Sequence, residues 1–258
     1  MLQIDLTGKV VLVLGGSRGI GESIVRLLCR AGAAVVFTHR GKRENEARIA
    51  ALLDEVEHES GRAQSVVLDA VDAAGTADLA GRIVEKHGKI DGLVYNVGRN
   101  QAKPVENISP ELWAENIDFN LSSAFYGIQA VLPHMIKAGF GRIVLVGSTA
   151  VYDGGSGAID YVAAKAGMSG LMAYICRNYA RKGITSNIIH PSAIETELLM
   201  VRYADEEKKR KLLAEIPAGR LGKPEDIAGL VAFLLSSWGD YICGQQLAAD
   251  GGRTLFNR

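Results

Sequence analysis

The sequence predicts an α/β fold in which a parallel sheet of seven strands carries helices on both faces. Three observations lead to this prediction: short apolar runs that are nearly continuous, longer segments with helical periodicity between them, and regular alternation of the two along 258 residues. Strands buried on both faces read as continuous apolar runs, and repeated β–α alternation implies right-handed crossovers in a doubly wound sheet. Because there is no internal repeat, linker or low-complexity segment, we expect one domain over residues 1–258.

Each element is assigned from its own pattern. The runs predicted as strands are Val10–Leu14, Ala33–Thr38, Gln64–Leu68, Ile90–Tyr95, Arg142–Val146, Thr185–Ile189 and Gln246–Ala249. The helical segments are one that begins near Glu22, followed by Glu44–Ser60, Thr76–His87, Pro110–Ala138, Tyr161–Lys182, Ala204–Ile216 and Pro224–Ser237. Ile49, Leu52 and Val56, for example, recur at helical spacing and define one apolar face.

Composition argues against several classes of protein. The 29 basic and 29 acidic residues balance to zero net charge and form no basic stripe, so nothing favours nucleic-acid binding. The longest apolar runs, such as Ile227–Leu235, are too short to span a bilayer, and the amino terminus carries no export signal. The three cysteines are far apart, and the five histidines lack metal-ligand spacing. We therefore expect a cytoplasmic protein with reduced thiols, no metal and no membrane contact.

A glycine-rich loop follows the first predicted strand and reads Leu14-Gly15-Gly16-Ser17-Arg18-Gly19-Ile20-Gly21. A phosphate at a helix N-terminus needs free backbone N–H groups and no obstructing side chain, which Gly15, Gly19 and Gly21 provide. The spacing is G-x-x-x-G-x-G rather than G-x-G-x-x-G, and a plain turn also explains a glycine cluster. Its place between a strand and a helix favours a Rossmann-type dinucleotide site. The expected contacts are Gly15, Ser17, Arg18, Gly19, Ile20 and Gly21.

The end of the second strand distinguishes the two nicotinamide cofactors. NAD enzymes place an acidic residue there for the ribose 2′-hydroxyl, whereas NADP enzymes use a cation for the 2′-phosphate. Here His39 and Arg40 follow the strand, no acid occurs before Glu44, and Arg18 of the glycine loop is a second candidate for the same phosphate. The planar fork of donors in arginine suits a phosphate. The sequence therefore predicts NADP(H), with a solvated basic turn as the alternative.

A tyrosine and a lysine lie four positions apart at the start of one predicted helix. Tyr161 and Lys165 therefore share a helix face. An ammonium group beside a phenol lowers the phenol pKa from near 10, which would make the tyrosine a usable acid near neutral pH. A bare Y-x-x-x-K arises often by chance. Here it accompanies Ser148 after the fifth strand and Asn120 in the long central helix.

Together these motifs resemble the short-chain dehydrogenase/reductase family. The resemblance also includes Tyr95-Asn96-Val97-Gly98 after the fourth strand and His190-Pro191-Ser192-Ala193-Ile194-Glu195-Thr196 after the sixth, and it covers nearly the whole chain. It implies that Tyr161 donates a proton to a carbonyl oxygen while NADPH gives hydride to the carbon. Lys165 would lower the Tyr161 pKa and hold the nicotinamide ribose. Ser148 would orient the carbonyl, and Asn120 would hold a water linked to Lys165.

The same resemblance assigns further cofactor contacts. Asp69 and Ala70 correspond to the adenine contact, and Asn96 to a sheet-stabilising asparagine near the cofactor. Thr196 corresponds to the residue beside the nicotinamide carboxamide. Gly98, Pro191 and Ile194 complete the expected set, together with Tyr161 and Lys165.

The sequence departs from the family pattern at four positions. Leu14 replaces a usual threonine, so a turn hydrogen bond is expected to be missing. Tyr95 and Val97 replace a usual asparagine and alanine. Ser192 replaces a usual glycine and is expected to narrow the nicotinamide end of the pocket. None of these departures removes a catalytic group.

Within the family, the chain is most similar to 3-oxoacyl-(acyl carrier protein) reductases, through the segments Glu195–Glu197, Pro217–Gly222 and Pro224–Ala228. The expected reaction is the reversible reduction of a ketone by NADPH, with a 3-oxoacyl thioester as a candidate substrate. The alternative is an NADP-dependent dehydrogenase of a small secondary alcohol, sugar, steroid or polyketide. A non-catalytic cofactor-binding protein is a third hypothesis, which the presence of every catalytic residue disfavours.

Two further expectations concern the surroundings of the site. Residues 197–216 are expected to form a substrate lid in which apolar Leu198–Val201 precedes a charged helix, although an ordinary amphipathic helix explains the same pattern. The resemblance also implies a homo-oligomer, a tetramer, in which Pro110–Ala138 and Tyr161–Lys182 pair across a two-fold axis. Four apolar residues give the second helix more apolar surface than one sheet face needs: Met168, Leu171, Met172 and Ile175.

Overall fold

One parallel sheet organises the protein. The structure is a computed structural model that describes residues 4–155 and 157–256, apart from the side chains of Leu198, Arg202 and Phe256. The strands are β1 (Val10–Leu14), β2 (Ala34–His39), β3 (Arg62–Val67), β4 (Gly92–Tyr95), β5 (Gly141–Val146), β6 (Ile184–Pro191) and β7 (Gln246–Ala249). Their order across the seven-stranded sheet is β3-β2-β1-β4-β5-β6-β7, and all neighbours are parallel.

Helices cover both faces of this sheet. They are α1 (Gly19–Arg30), α2 (Glu46–His58), α3 (Ala73–His87), α4 (Pro110–Ile117), α5 (Ser123–Ala138), α6 (Ala150–Asp153), α7 (Ile159–Tyr179), α8 (Glu197–Arg202), α9 (Glu206–Ala214), α10 (Pro224–Leu235) and α11 (Arg253–Phe256). Short 3₁₀ turns add Arg43–Asn45, Val105–Asn107, Ala180–Lys182 and Ser237–Gly239. The doubly wound arrangement that the alternating pattern predicts is therefore confirmed.

Two apolar cores lie on opposite faces of the sheet. Successive side chains of a strand point to opposite faces. Val11 and Val13 of β1 accordingly join a cluster with Ile24 of α1 and Val231 of α10. The alternate β1 residues, such as Leu12, join a second cluster with Val131 of α5 and Met168 of α7. Both faces of β1 are thus buried, which explains why its sequence is a continuous apolar run.

The strand order also fixes where a ligand can bind. The chain passes from β1 outward to β2 and β3, and then returns to β4 on the other side of β1. The loops that follow β1 and β4 therefore diverge at the carboxyl edge of the sheet and leave a crevice between them. Open α/β sheets bind ligands at such a switch point.

Several predicted elements differ from those observed. The segment Pro110–Ala138 is not one regular helix, because a π-helical turn at Asp118–Ser122 separates α4 from α5. The first helix begins at Gly19 rather than near Glu22, and the short helices α6, α8 and α11 were not predicted. Elements of four to six residues bury too few side chains to show a periodicity in the sequence.

Three of the four α7 residues expected to form an apolar surface lie inside the subunit. Met168, Met172 and Ile175 are at most 4% exposed and pack in the second core, and Leu171 packs against it. The prediction that they form surplus surface for a partner subunit is wrong, because this helix lies directly on the sheet and uses them to cover it. Of the helices in the described ranges, none has the length and hydropathy needed to cross a membrane.

Candidate active site

The glycine-rich loop lies at the carboxyl end of β1 and leads into α1. Gly15 and Gly19 have φ angles of 86° and 53°, a left-handed region that favours glycine. A Cβ on Gly21 would collide with the carbonyl oxygen of Gly15, so only glycine allows α1 to approach the turn this closely. Asn96 holds the same turn, because its Nδ2 donates to the Gly15 carbonyl oxygen at 2.9 Å. The loop thus exposes the helix N-terminus without a side chain over it.

Thr38, at the end of β2, fixes this loop and was not predicted. Its Oγ1 accepts a hydrogen bond from the Gly15 N–H at 3.2 Å, and its carbonyl oxygen accepts from the Gly16 N–H at 3.0 Å. Two hydrogen bonds from the neighbouring strand therefore hold the turn, although Leu14 offers no polar side chain to it. Nothing local in the sequence indicated this contact, because the two residues are 23 positions apart.

A cleft of about 970 Å³ opens over the loop. Twelve of the predicted cofactor contacts line it: Gly15, Ser17, Arg18, Gly19, Ile20, His39, Arg40, Asp69, Ala70, Asn96, Gly98 and Thr196. Gly21 lies behind the loop, and Pro191 and Ile194 are buried outside the lining. The cleft thus follows the carboxyl edge of the sheet from β2 across β1 to β4.

The arginines of the cleft fall into two groups. Within the described part of the chain, Arg18 and Arg40 have no carboxylate within ion-pair distance, and the Arg40 guanidinium lies 5.3 Å from the centroid of the Phe119 ring. Arg48 instead pairs with Glu197 of α8. A guanidinium without a carboxylate partner keeps its donors for a phosphate. The charge pattern therefore fits an anionic group near the end of β2.

The predicted catalytic side chains meet at the same edge of the sheet. Tyr161 lies in the first turn of α7, and Ser148 follows β5. Their side chains lie close enough for Ser148 to act on the Tyr161 pKa, which it lowers. The Ser148 Oγ also accepts from the Ala150 N–H at 3.2 Å, a contact that holds it at the start of α6. Two hydroxyl groups from different elements are therefore placed side by side.

Lys165 is held by backbone carbonyl groups. It is 2% exposed. Its Nζ donates to the carbonyl oxygens of Val97 and Val146 at 3.0 Å each, and lies 5.8 Å from the centroid of the Tyr161 ring. Burial lowers the pKa of Lys165 to about 7, because the ammonium form loses its hydration. The side chain thus joins the ends of β4 and β5 beneath Tyr161.

The expectation that Lys165 lowers the Tyr161 pKa stays a prediction, and burial acts in the opposite direction. Burial raises the pKa of Tyr161, and its hydrogen bond with Ser148 opposes that rise only in part. The phenolate would need hydration that a buried site does not supply. Lys165, whose pKa burial lowers to about 7, is only partly charged near neutral pH. Tyr161 therefore stays protonated near neutral pH.

Asn120 lies in the π-helical turn between α4 and α5, where backbone groups lose their regular helical partners. Its Nδ2 donates to the carbonyl oxygens of Asn116 at 3.0 Å and Arg99 at 3.2 Å, and its Oδ1 accepts from the Arg99 N–H at 2.9 Å. A Cβ on Gly98 would lie 3.4 Å from Lys165 Nζ and 3.8 Å from Asn120 Oδ1. The Asn120 amide group thus stabilises the irregular turn through its two N–H donors, and its Oδ1 lies near Gly98, as the Lys165 Nζ does.

A chain of polar side chains that was not predicted connects the loop after β4 to Tyr161. Arg99 donates to the Asn116 Oδ1 at 2.7 Å, and the Asn116 side chain donates to the Asp160 carboxylate. The Asp160 Oδ1 accepts from the Tyr161 N–H at 2.7 Å. Asn116 and Asp160 are buried. These contacts join segments 44 positions apart, so neither composition nor periodicity indicates them.

Tyr95 has a structural role at the position where asparagine was expected. Its buried hydroxyl lies 2.7 Å from the Ser123 Oγ and donates to the Phe119 carbonyl oxygen at 3.2 Å. Burial raises its pKa strongly, so it remains a neutral phenol. Ser192, where glycine was expected, accepts from the Arg253 guanidinium at 3.2 Å. Both departures therefore add contacts between elements around the cleft.

Comparison with known proteins identifies the family. A family model described as enoyl-(acyl carrier protein) reductase matches residues 15–254. A 3-oxoacyl-(acyl-carrier-protein) reductase from Escherichia coli strain K12 is 36% identical over 249 residues, which cover 96% of this chain and 98% of the relative. The L-rhamnose 1-dehydrogenase (NAD(P)(+)) of Azotobacter vinelandii is 35% identical over 253 residues, which cover 98% of each chain.

A solved structure shares the whole fold. It is described as an NAD(P)-dependent gluconate 5-dehydrogenase from Beutenbergia cavernae with bound NADP at low occupancy. It superposes with a TM-score of 0.90 and 32% sequence identity, and covers 98% of this chain and 100% of its own.

The fold, the glycine-lined cleft and the paired hydroxyls over a buried lysine define an oxidoreductase that uses a nicotinamide cofactor. The chain belongs to the short-chain dehydrogenase/reductase family, and within it is most like the 3-oxoacyl-(acyl-carrier-protein) reductases. The predicted fold class and family are thereby confirmed.

Proposed function

We propose that the protein catalyses the reversible, NADPH-dependent reduction of a ketone to a secondary alcohol. The observation that carries this proposal is the placement of the Tyr161 side chain near that of Ser148, which acts to lower the Tyr161 pKa, with the buried Lys165 one helical turn from Tyr161. A carbonyl oxygen that approaches both hydroxyls accepts a hydrogen bond from each. Because burial raises the Tyr161 pKa, this side chain enters the reaction protonated and ready to donate.

The residues of the cleft fit NADP(H). The left-handed Gly15 and Gly19 and the open N-terminus of α1 leave room and N–H donors for a pyrophosphate. Arg18 and Arg40, which form no close ion pair with the described carboxylates, offer their guanidinium groups to a ribose 2′-phosphate, at the position where an acidic residue would favour NAD. The NADP in the related structure supports the same cofactor. When bound, the reduced nicotinamide supplies hydride to the carbonyl carbon.

Each catalytic residue then has a defined task. Tyr161 donates its hydroxyl proton to the substrate oxygen as the alcohol forms. Ser148 donates a hydrogen bond to the same oxygen and fixes its direction. Lys165, with a pKa of about 7, can hold and release a proton near neutral pH. A water between its Nζ and the Asn120 Oδ1 would return a proton from solvent to Tyr161.

We propose a 3-oxoacyl thioester as the substrate, because the chain is most like reductases of that substrate class. A depression of about 540 Å³ beside the start of α7 supports this choice. Its walls are largely aliphatic, with Ala102, Pro104, Ile159 and Val162 among them, and suit an alkyl chain. Sugars are the second candidate class, favoured by the similarity to L-rhamnose and gluconate dehydrogenases.

We further propose that residues 197–216 act as a substrate lid and that the protein is a cytoplasmic homotetramer. Val201 of α8 lines the cofactor cleft, which supports the position of the lid. The oligomer rests on the family resemblance and on three exposed aromatic side chains of α4, α5 and α7. These are Trp113, Phe125 and Tyr174, which are 39%, 43% and 62% exposed.

A substrate panel tests the reaction class and the substrate together. NADPH consumption is measured with 3-oxoacyl thioesters and simple ketones, and NADP⁺ reduction with sugars, aldonic acids and secondary alcohols. We expect the highest kcat/KM with a 3-oxoacyl thioester. Faster turnover of a sugar would contradict the proposed substrate but support the proposed reaction class. No turnover of any compound would contradict the proposal that the protein is an enzyme of this class.

A further inference from the structure

His190, near the end of β6, lies directly beneath Ser148. Its ring is fully buried. The Ser148 N–H donates to the His190 Nδ1 at 3.1 Å, and the Ser148 carbonyl oxygen lies 2.9 Å from the same nitrogen. The imidazole therefore contacts the main chain of the residue whose hydroxyl meets Tyr161.

The opposite side of the ring sets its tautomer. The His190 Nε2 lies 3.0 Å from the Oε1 of Gln246 on β7, and this oxygen also accepts from the Ser169 Oγ at 3.0 Å. With the Gln246 amide oriented so that its Oε1 faces the ring, Nε2 is the donor and carries the proton. The Nδ1 lone pair is then left for the Ser148 N–H. Burial lowers the pKa of His190, which favours this neutral form.

The residue before Ser148 leaves space for this ring. A Cβ on Gly147 would lie 2.5 Å from the His190 Nδ1 and 2.7 Å from its Cε1. The Tyr152 ring packs edge-on against the imidazole with centroids 5.3 Å apart. Contacts on several sides thus hold His190 in one orientation against the peptide groups of Ser148.

We propose that His190 is a positioning residue for catalysis, which acts by holding the main chain of Ser148 so that its hydroxyl faces the substrate carbonyl. The inference rests on the proposed function, because it requires Ser148 to work in the reaction. On either side of Ser148, the N–H groups of Gly147 and Thr149 donate to backbone carbonyl oxygens of β6. Their acceptors are Ile189 and Pro191, the two neighbours of His190. Among the described contacts, the His190 side chain is the only acceptor for the Ser148 N–H. Without that acceptor, the Ser148 peptide group would be positioned only by the hydrogen bonds of the neighbouring Gly147 and Thr149.

Two variants of similar shape isolate the acceptor. Asparagine and leucine have nearly the same branching, but only asparagine places an oxygen where Nδ1 now lies. We expect His190→Leu to lower kcat for ketone reduction about tenfold, the effect of one lost hydrogen bond, with NADPH affinity unchanged. His190→Asn should recover most of that loss. Equal kcat in the two variants would overturn the proposal.

A double-mutant cycle shows whether the effect passes through Ser148. We expect His190→Leu to cost about tenfold in the wild type but less than about twofold in Ser148→Ala, because the hydroxyl it positions is gone. Losses that multiply in the double variant would make His190 merely structural and overturn the proposal. Normal turnover by Ser148→Ala alone would instead reject the proposed function.

Asn187→Leu is the matched control. Asn187 is a buried polar residue of the same strand, and it hydrogen-bonds the Ile242 carbonyl and the Gln245 N–H rather than Ser148. We expect this variant to unfold at a lower temperature than the wild type while its kcat falls less than about twofold. A loss of kcat equal to that of His190→Leu would show that any buried polar defect in β6 suffices, and would overturn the proposal.

Discussion

At the level of single residues, burial sets the protonation states of the catalytic pair. It raises the pKa of Tyr161 and lowers that of Lys165 to about 7, so both groups favour their neutral forms. A neutral phenol suits a reductase, because the step from ketone to alcohol takes a proton from the enzyme. The reverse reaction needs the phenolate and should gain from alkaline pH.

The buried lysine gives a testable dependence of stability on pH. The pKa of Lys165 is about 7 in the folded protein, below its ordinary value of 10.5. Above about pH 7 the unfolded chain therefore binds a proton that the folded protein has released, and a rise in pH favours folding. We predict that Lys165 adds up to roughly 1.4 kcal/mol per pH unit to the free energy of unfolding between about pH 7 and pH 9.

Denaturant unfolding of the cofactor-free protein checks this prediction. Lys165→Met is the control, because it keeps a long side chain and removes the titrating group. The unfolding free energy of the wild type should rise relative to that of the variant as pH rises through this window. A difference that stays constant would contradict the lowered lysine pKa.

The proposed cofactor preference can be tested at another single residue. We predict that Arg40→Ala lowers kcat/KM for NADPH about tenfold to a hundredfold and leaves that for NADH nearly unchanged. A charge-assisted hydrogen bond contributes roughly 1.5–3 kcal/mol, which corresponds to this range. Arg43→Ala is the control, since Arg43 is an exposed residue of the same basic turn that does not line the cleft. Equal use of both cofactors by the wild type would reject the preference.

Local sequence patterns predicted some residues of the site. The roles of other residues depend on contacts between segments that are far apart in the sequence. Tyr161 and Lys165 were predicted because one helical turn separates them. The acceptor role of Thr38 and the position of His190 were not predicted. Each residue contacts a partner on a neighbouring part of the sheet: Thr38 contacts Gly15, 23 positions away, and His190 contacts Ser148, 42 positions away. The pKa directions also depend on burial by the whole fold. No sequence spacing contains that information.

At the level of elements, α8 and α9 form a separate packing unit. Leu212 and Ile216 are buried in a small cluster with Ala193 and Leu221, and Leu199 packs against it. This cluster is distinct from the two cores that cover the sheet. Most of α9 is exposed, so this small cluster is its main apolar contact with the rest of the protein. Units with few buried contacts open at low free energy, as lids require.

Hydrogen exchange measures this opening directly. We predict that amides of residues 197–216 exchange faster than those of β1 and α7 in the free protein. They should become protected when NADPH and an unreactive substrate analogue bind together, because closure shields the site from water. NADPH alone is the control that separates cofactor from substrate effects. Exchange that does not change in the ternary complex would show that this segment is ordinary surface.

The strands were predicted more closely than the helices. All seven lie within a few residues of their expected bounds. Central strands such as β1 and β5 are buried on both faces and give continuous apolar runs, whereas the outer strands β3 and β7 are only partly buried. The π-helical turn at Asp118–Ser122 was missed. It is stabilised by Asn120 contacts with Arg99, which lies in another loop. A periodic pattern reports a helix face but not a local change of helix type.

At the level of the whole molecule, the exposed aromatic residues of α4, α5 and α7 favour self-association. We predict a homotetramer of about 27.6 kDa subunits in light scattering at micromolar concentration. Phe125→Glu should shift the mass towards smaller species, because it places a charge in an apolar contact. Tyr241→Glu tests whether the other side of the sheet contributes, since Tyr241 is fully exposed in the single chain. A wild-type monomer would contradict the assembly.

The central claim is that Tyr161 is the proton donor of an NADPH-dependent ketone reductase. The most direct measurement compares kcat and NADPH affinity in the wild type and in Tyr161→Phe, with Tyr174→Phe as a control on the exposed face of the same helix. We predict that kcat falls roughly 10²–10⁴-fold in Tyr161→Phe, the range typical of a lost general acid, while NADPH affinity and the control variant stay near wild type. Near-normal kcat in Tyr161→Phe would contradict the account.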